Sequence, residues 1–201
     1  MMMEFTLTFE EKFWGNCCNT YGEETKQLVY AKYMGLAFHH DGRAGGPFAI
    51  AMHDKSVIDF GGGPVSLLLK CSDLGVAAVV DPLNMPFWVN DRYEAAGIIL
   101  FKMRAEDFDS EHLRHVDEAW VYNCLQHTDD PELILRKAKE RAGLIRLFEW
   151  IDVPAHECHP HELTVAFFER LLGRGGNVAR LNESGCVGRA FYGTFYGTLK
   201  T

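Results

Sequence analysis

The chain has 201 residues, 47% of them hydrophobic and 24% charged, with a formal net charge of −8. That length allows one domain with a substantial core and excludes two full-sized ones, and the composition excludes bulk disorder. The acidic balance counts against long nucleic acid as a partner, because neutralising phosphates needs a basic face; a small or neutral acceptor fits more easily.

No run approaches the roughly 18 apolar residues of a membrane helix. The stretch from Met1 to Glu11 lacks the charged-then-apolar pattern of a secretory signal. Cys17, Cys18, Cys71, Cys124, Cys158 and Cys186 form no spaced CxxC pair, so a reduced, cytoplasmic protein is expected.

Along the chain, the first part reads as a helical lead-in. Gly22–Leu36 opens with Glu23 and Glu24, where negative charge suits the positive end of a helix, and carries Leu28, Val29, Ala31, Tyr33 and Leu36 as an apolar set. Asp41–Pro47 is a loop by its glycines and marks the expected boundary between an N-terminal helical cap (1–50) and a main domain (51–201). Strands and helices then alternate. Strands are predicted over Val57–Phe60, Val76–Val80, Ile98–Lys102, Ala119–Asn123 and Leu144–Trp150. Helices are predicted over Pro64–Ser72, over Pro86–Ala96 with Gly97 as its cap, from Asp130-Pro131 to about Ala142, and over His161–Leu172 up to Gly173. Such alternation predicts a parallel sheet covered on both faces. Cys186–Leu199 is strand-rich and broken by glycines with no helix between its halves, which predicts a terminal hairpin adding an antiparallel strand.

One segment carries chemistry. Ser56–Pro64 runs from a strand through an acid, Asp59, into Gly61, Gly62 and Gly63 and a helix start. Ligands of parallel α/β sheets bind outside the carboxyl ends of the strands, where such turns lie, and glycines let backbone approach a ligand closely. A second acid, Asp81, ends the next strand about twenty residues on, the spacing of a carboxylate that receives a pair of ribose hydroxyls.

In these features the chain resembles the class I S-adenosylmethionine (SAM)-dependent methyltransferases. Asp59-Phe-Gly-Gly-Gly63 is similar to that family's D-x-G-x-G motif, and Asp81 to its ribose-binding acid. Arg104-Ala-Glu-Asp-Phe108 resembles the adenine-contacting segment after the third strand. Asn123–Pro131 resembles the segment after the fourth strand of the ubiquinone-biosynthesis-like members. The resemblance spans roughly residues 56–173. It implies a Rossmann-like three-layer α/β sandwich around a mostly parallel seven-stranded sheet with a C-terminal antiparallel hairpin, SAM as cofactor and methyl transfer to a small molecule. By resemblance Asp59 orders the glycine loop or holds the amino group of SAM, Gly61, Gly62 and Gly63 meet it through the backbone, and Asp81 and Pro82 lie at the ribose. Ala105 and Glu106 lie at the adenine, with Arg104 standing where an aspartate is common, and Asn123 and Leu125 line the methionine end.

Methyl transfer needs alignment and exclusion of water, and a base only when the acceptor must lose a proton early. His127, after the fourth strand, and His161, near the loop after the fifth, are the candidate bases. The run His156–His161 holds metal-capable residue types at no familiar zinc spacing and reads as an active-site loop with no metal. Trp14, Tyr21 and Tyr30 could close over SAM or stack an acceptor ring, with core packing the favoured reading. A nicotinamide dehydrogenase would need Gly or Ala where Ser66 stands. A macromolecular methyltransferase would need a basic cleft, and a non-catalytic SAM-binding module would have its acceptor pocket blocked.

Overall fold

The computed structural model describes residues 2–40 and 48–199; the expected boundary loop at 41–47 lies outside them. Two helices, α1 (Met2–Trp14) and α2 (Glu23–Tyr33), lead into the short strands β1 (Phe38–His40) and β2 (Phe48–Ala51). The alternating part follows: β3 (Val57–Phe60), β4 (Cys71–Ser72), β5 (Ala77–Val80), α3 (Phe87–Ala95), β6 (Ile98–Phe101), β7 (Val116–Tyr122), α4 (Pro131–Arg141), β8 (Ala142–Ile151) and α5 (Val165–Leu172). The last two strands are β9 (Asn177–Glu183) and β10 (Cys186–Tyr196).

The main sheet has seven strands in the order β6-β5-β3-β7-β8-β10-β9. All pairs from β6 to β8 are parallel, whereas β8–β10 and β10–β9 are antiparallel. The expected Rossmann-like sandwich with its antiparallel end is therefore the observed fold. Strand alternation splits the core between the two faces: Val57, Val79, Trp120 and Phe148 pack toward Tyr30 and Met34 of the α2 region, and Ile58, Phe60, Val80 and Val121 toward Leu135 of α4 and Phe168 of α5. A separate small sheet, β1-β2-β4, joins the expected cap to the main domain across residue 50 and had no counterpart in the sequence reading.

Three elements differ from expectation for physical reasons. Pro64–Ser72 is not one helix but two 3-10 turns, Gly63–Val65 and Leu67–Lys70, followed by β4. The break is Ser66, with φ −51° and ψ 144°. Its hydroxyl donates to Asp59 at 2.5 Å and accepts from the Leu68 amide at 3.0 Å, while the amides of Ser66 and Leu67 donate to the hydroxyls of Tyr93 and Tyr122. Side chains have taken the donors a helix would use. The terminal hairpin exists, but residues 186–196 are a single strand whose hairpin partner is 177–183. Gly188 breaks no strand; an added Cβ would stand 3.3 Å from the Trp150 ring, so the glycine marks a close approach and not a turn. Finally, α5 starts at Val165 and not at His161, because Thr164 caps it by accepting from the Phe167 amide at 3.2 Å.

Candidate active site

The carboxyl ends of β3, β5 and β7 open onto one cavity of about 410 Å³. Its floor is Gly61, Gly62, Gly63, Asp81, Pro82, Leu83 and Asn123, with Ala105 and Glu106 at one side. Its roof comes from the N-terminal helices, through Leu7, Phe9, Glu10, Phe13 and Trp14 of α1 and Glu23, Lys26, Gln27 and Tyr30 of α2.

The glycine turn is specified by its contacts. Gly61 has φ +77°, and a Cβ there would lie 2.5 Å from the Cβ of Cys124; at Gly62 it would lie 2.6 Å from a carboxylate oxygen of Asp59. Neither position has room for a side chain, so the turn lies flat against the end of β7. Asp81 locks onto this turn: Oδ2 accepts from the Gly63 amide and Oδ1 from the Leu83 amide, both at 2.9 Å. Each carboxylate oxygen retains a lone pair. Burial pushes the Asp81 carboxyl up to about 6, with the Leu83 and Gly63 amides working in the opposite direction.

Asp59 is brought to the turn but lies beneath it, fully buried and outside the cavity wall. Its Oδ2 accepts from Ser66 and, at 2.9 Å, from the Tyr122 hydroxyl. Burial pushes it up to about 7 against those two hydrogen bonds. Leu125 is likewise fully buried and off the wall; its amide, with that of Cys124, donates to Glu149 of β8. Glu149 is raised to about 7 by burial, opposed by those amides. Glu106 lines the cavity, but its Oε1 accepts from the amides of Asp129 and Asp130 at 2.9 and 3.2 Å and so fastens the start of α4. Arg104 bonds Asp129 at 2.8 Å from the same wall.

The two candidate bases part company. His127 is on the wall, its Nδ1 3.2 Å from Oε1 of Glu10 and 3.1 Å from the carbonyl of Cys158. Burial lowers its pKa, but the Glu10 hydrogen bond and charge outweigh this, and the net shift is upward. His161 is off the wall, with Nε2 2.8 Å from the Thr128 carbonyl. A different member of the His156–His161 run faces the cavity. His156 and His159 exchange backbone hydrogen bonds of 2.9 and 3.0 Å, and this tight hairpin delivers the His159 ring to the wall beside His127. Burial, and then His127 and His156, push His159 down to about 4.

Sequence reading missed Glu10, Gln27, Trp150 and His159. Only His159 carried a signal, the histidine run itself, and the loop geometry that chooses among its members is not a local property. Tyr30 lines the cavity as well as packing, and Trp14 does the same.

No family profile and no curated protein matches the chain. Solved structures do. The chain is similar to a 1,6-didemethyltoxoflavin-N1-methyltransferase of Burkholderia thailandensis, crystallised with 1,6-didemethyltoxoflavin and S-adenosylhomocysteine, at 14% identity and a TM-score of 0.62 over 98% of this chain and 87% of that one. It is similar to a SAM-dependent methyltransferase of Thermotoga maritima, described as a possible histamine N-methyltransferase, at 13% identity and a TM-score of 0.60 over 98% of this chain and 100% of that one. The cyclase SpnF also matches, at 11% identity and a TM-score of 0.58 over 87% of this chain and 80% of that one. At these identities the likeness is one of fold: the chain has the Rossmann-like methyltransferase fold.

Proposed function

We propose that the chain is a SAM-dependent methyltransferase that passes a methyl group to a small-molecule acceptor by in-line displacement, giving S-adenosylhomocysteine. The observation that carries this is the hydrogen-bonded union of the Gly61–Gly63 turn with Asp81 on the floor of the cavity. SAM supplies an activated methyl on a sulfonium.

The residues present fit that cofactor. Asp81 has a free lone pair on each oxygen for the two ribose hydroxyls, and Pro82 and Leu83 continue that edge. Gly61, Gly62 and Gly63 present bare backbone. Ala105, Glu106 and Arg104 flank the adenine end, and Asn123 with Tyr122 the methionine end. Gln27 on the roof donates through Nε2 to the Val65 carbonyl, while its Oε1 is buried and has no partner among the described residues, an acceptor suited to an ammonium group. In this reading Asp59 and Leu125 support the site from beneath, Asp59 by ordering the turn.

Displacement at a sulfonium carbon needs alignment and dryness more than acid or base. The roof of α1 and α2 serves the second need, as the cap expected at the N-terminus would. The acceptor then enters between this roof and the end of β8, where Trp150 lies. Lys26 and Arg104 face Glu10, Glu23, Asp81 and Glu106 in the wall, a balance that favours a small acceptor over nucleic acid. The likeness to ubiquinone-biosynthesis-like members rests on residues 123–131 alone and names no acceptor.

Titration calorimetry with SAM, S-adenosylhomocysteine and NAD tests the reading. Binding of the two sulfur compounds and not NAD is expected, and the reverse overturns it. Asp81→Ala is expected to weaken SAM binding at least tenfold, the loss of roughly 1.5–3 kcal/mol from charged hydrogen bonds; unchanged affinity removes Asp81 from the site.

A further inference from the structure

The cavity wall carries a polar arrangement to which the proposed cofactor contacts assign no role. Glu10 comes from the roof helix and His127 from the turn after β7, and both side chains are mostly withdrawn from solvent, at 20% and 23% exposure. The Nδ1 of His127 faces two acceptors, Oε1 of Glu10 and the carbonyl of Cys158. A nitrogen flanked by two acceptors must carry the hydrogen, which leaves the lone pair of the neutral ring on Nε2. That is the tautomer of an imidazole prepared to receive a proton. The same cavity is lined by the flat aromatic groups of Phe13, Trp14, Tyr30 and Trp150, which favour a flat ring as ligand. The Nδ1 of His159 is buried beside it, with no partner among the described residues, and its ring meets that of His127 edge-on at 4.5 Å.

We infer, on the methyltransferase reading above, that Glu10 positions His127 as the base for a small hydroxylated aromatic acceptor. The acceptor's O–H bond breaks and its proton goes to Nε2 of His127. An oxygen lone pair forms the bond to the methyl carbon as the carbon–sulfur bond breaks. The products are a methyl ether, S-adenosylhomocysteine and an imidazolium held by the Glu10 carboxylate, which then releases the proton to water. A phenol-like hydroxyl ionises near pH 10 and needs this help at neutral pH. His159 stays neutral and offers its free nitrogen to a second polar group on the ring. The groups that set the charge on His127 are Glu10 from α1, Glu149 from β8, Asp81 after β5 and His159 from the loop after β8. Because Glu10 rides on α1, the base is complete only when the roof is in place. Glu10 is thus a positioning residue and His127 the catalytic one.

The probe is catechol, whose hydroxyl stays un-ionised at neutral pH, with the full chain. S-adenosylhomocysteine binding by the wild type is measured first, since its failure would defeat the methyltransferase reading independently of this inference. Imidazole 15N NMR of that complex is expected to show His127 as the Nδ1–H tautomer, titrating above an ordinary histidine. In Glu10→Gln the midpoint moves to lower pH. With SAM and catechol, the acid limb of the rate profile follows it downward and the plateau falls about tenfold, with Glu10→Asp recovering part of both. His127→Gln loses about a hundredfold or more. An unmoved His127 titration in Glu10→Gln, wild-type turnover in His127→Gln, or no binding of catechol to the S-adenosylhomocysteine complex would each overturn the inference.

Discussion

At the scale of single residues, the site is governed by what burial does to a carboxylate. Asp81 is nearly enclosed and its pKa is raised to about 6; in the proposed function the ribose hydroxyls would donate best to its ionised form. SAM affinity is therefore expected to climb as pH rises from about 5 to about 7 and then level off, and calorimetry across that range checks it. A flat profile would mean that Asp81 does not meet the ligand. Gly61 is equally constrained, by a positive φ and by Cys124 on the facing strand end. Gly61→Ala is expected to cost about 2 kcal/mol or more in urea unfolding, from left-handed strain together with overpacking. The glycine run and Asp81 were both legible in the sequence because strand, turn and acid follow one another at fixed spacing. Glu10 was not, since its partner His127 lies on the far side of the sheet sequence and only folding brings the two together.

Among the elements, the attachment of the roof rests on a buried ion pair. Glu118 of β7 accepts from Arg146 of β8 at 2.6 and 3.0 Å, from Lys55 at 2.7 Å and from the Trp120 indole at 2.9 Å. The same guanidinium donates to the carbonyls of Met34 and Gly35 just past α2, supplying partners that a helix end lacks. Burial works to raise the Glu118 pKa, but Arg146, Lys55 and Trp120 hold it down at about 2. A depressed carboxyl stabilises the fold above its ordinary pKa, and the contribution fades as pH falls from about 4.5 toward 2. Glu118→Gln is expected to lower stability by about 3 kcal/mol at neutral pH, because it strands a buried guanidinium. Pairing it with Arg146→Met should recover much of that loss in a denaturation cycle. Near-additive losses from the two single changes would show that the pair is not coupled.

For the whole molecule, the raised carboxyls set the response to pH. Asp59, Asp81 and Glu149 cluster at the strand ends and titrate near 7, 6 and 7 in the folded chain. Unfolded, each would ionise near 4. Between those values the unfolded chain gives up protons first, so stability falls as pH rises from about 5 to about 7.5. His127, raised by Glu10, adds to the trend, since its contribution is present when protonated and lost as pH rises through its folded pKa. Calorimetric Tm is expected to be higher at about pH 5 than at about pH 7.5, with Glu149→Gln reducing the difference. A Tm that rises toward pH 7.5 would contradict this account of the buried acids.

The sequence alone determined the alternation of strands and helices, the glycine turn with its acid and the antiparallel end of the sheet, because each is written in residues close together along the chain. Tertiary structure decided the rest. It turned Pro64–Ser72 into 3-10 turns by bringing Tyr93 and Tyr122 to that segment's amides, chose His127 and His159 over His161 for the cavity wall, and laid α1 across the site. These outcomes depend on which side chain arrives from a distant element to take a donor, a proton or a space, and a linear pattern does not record that.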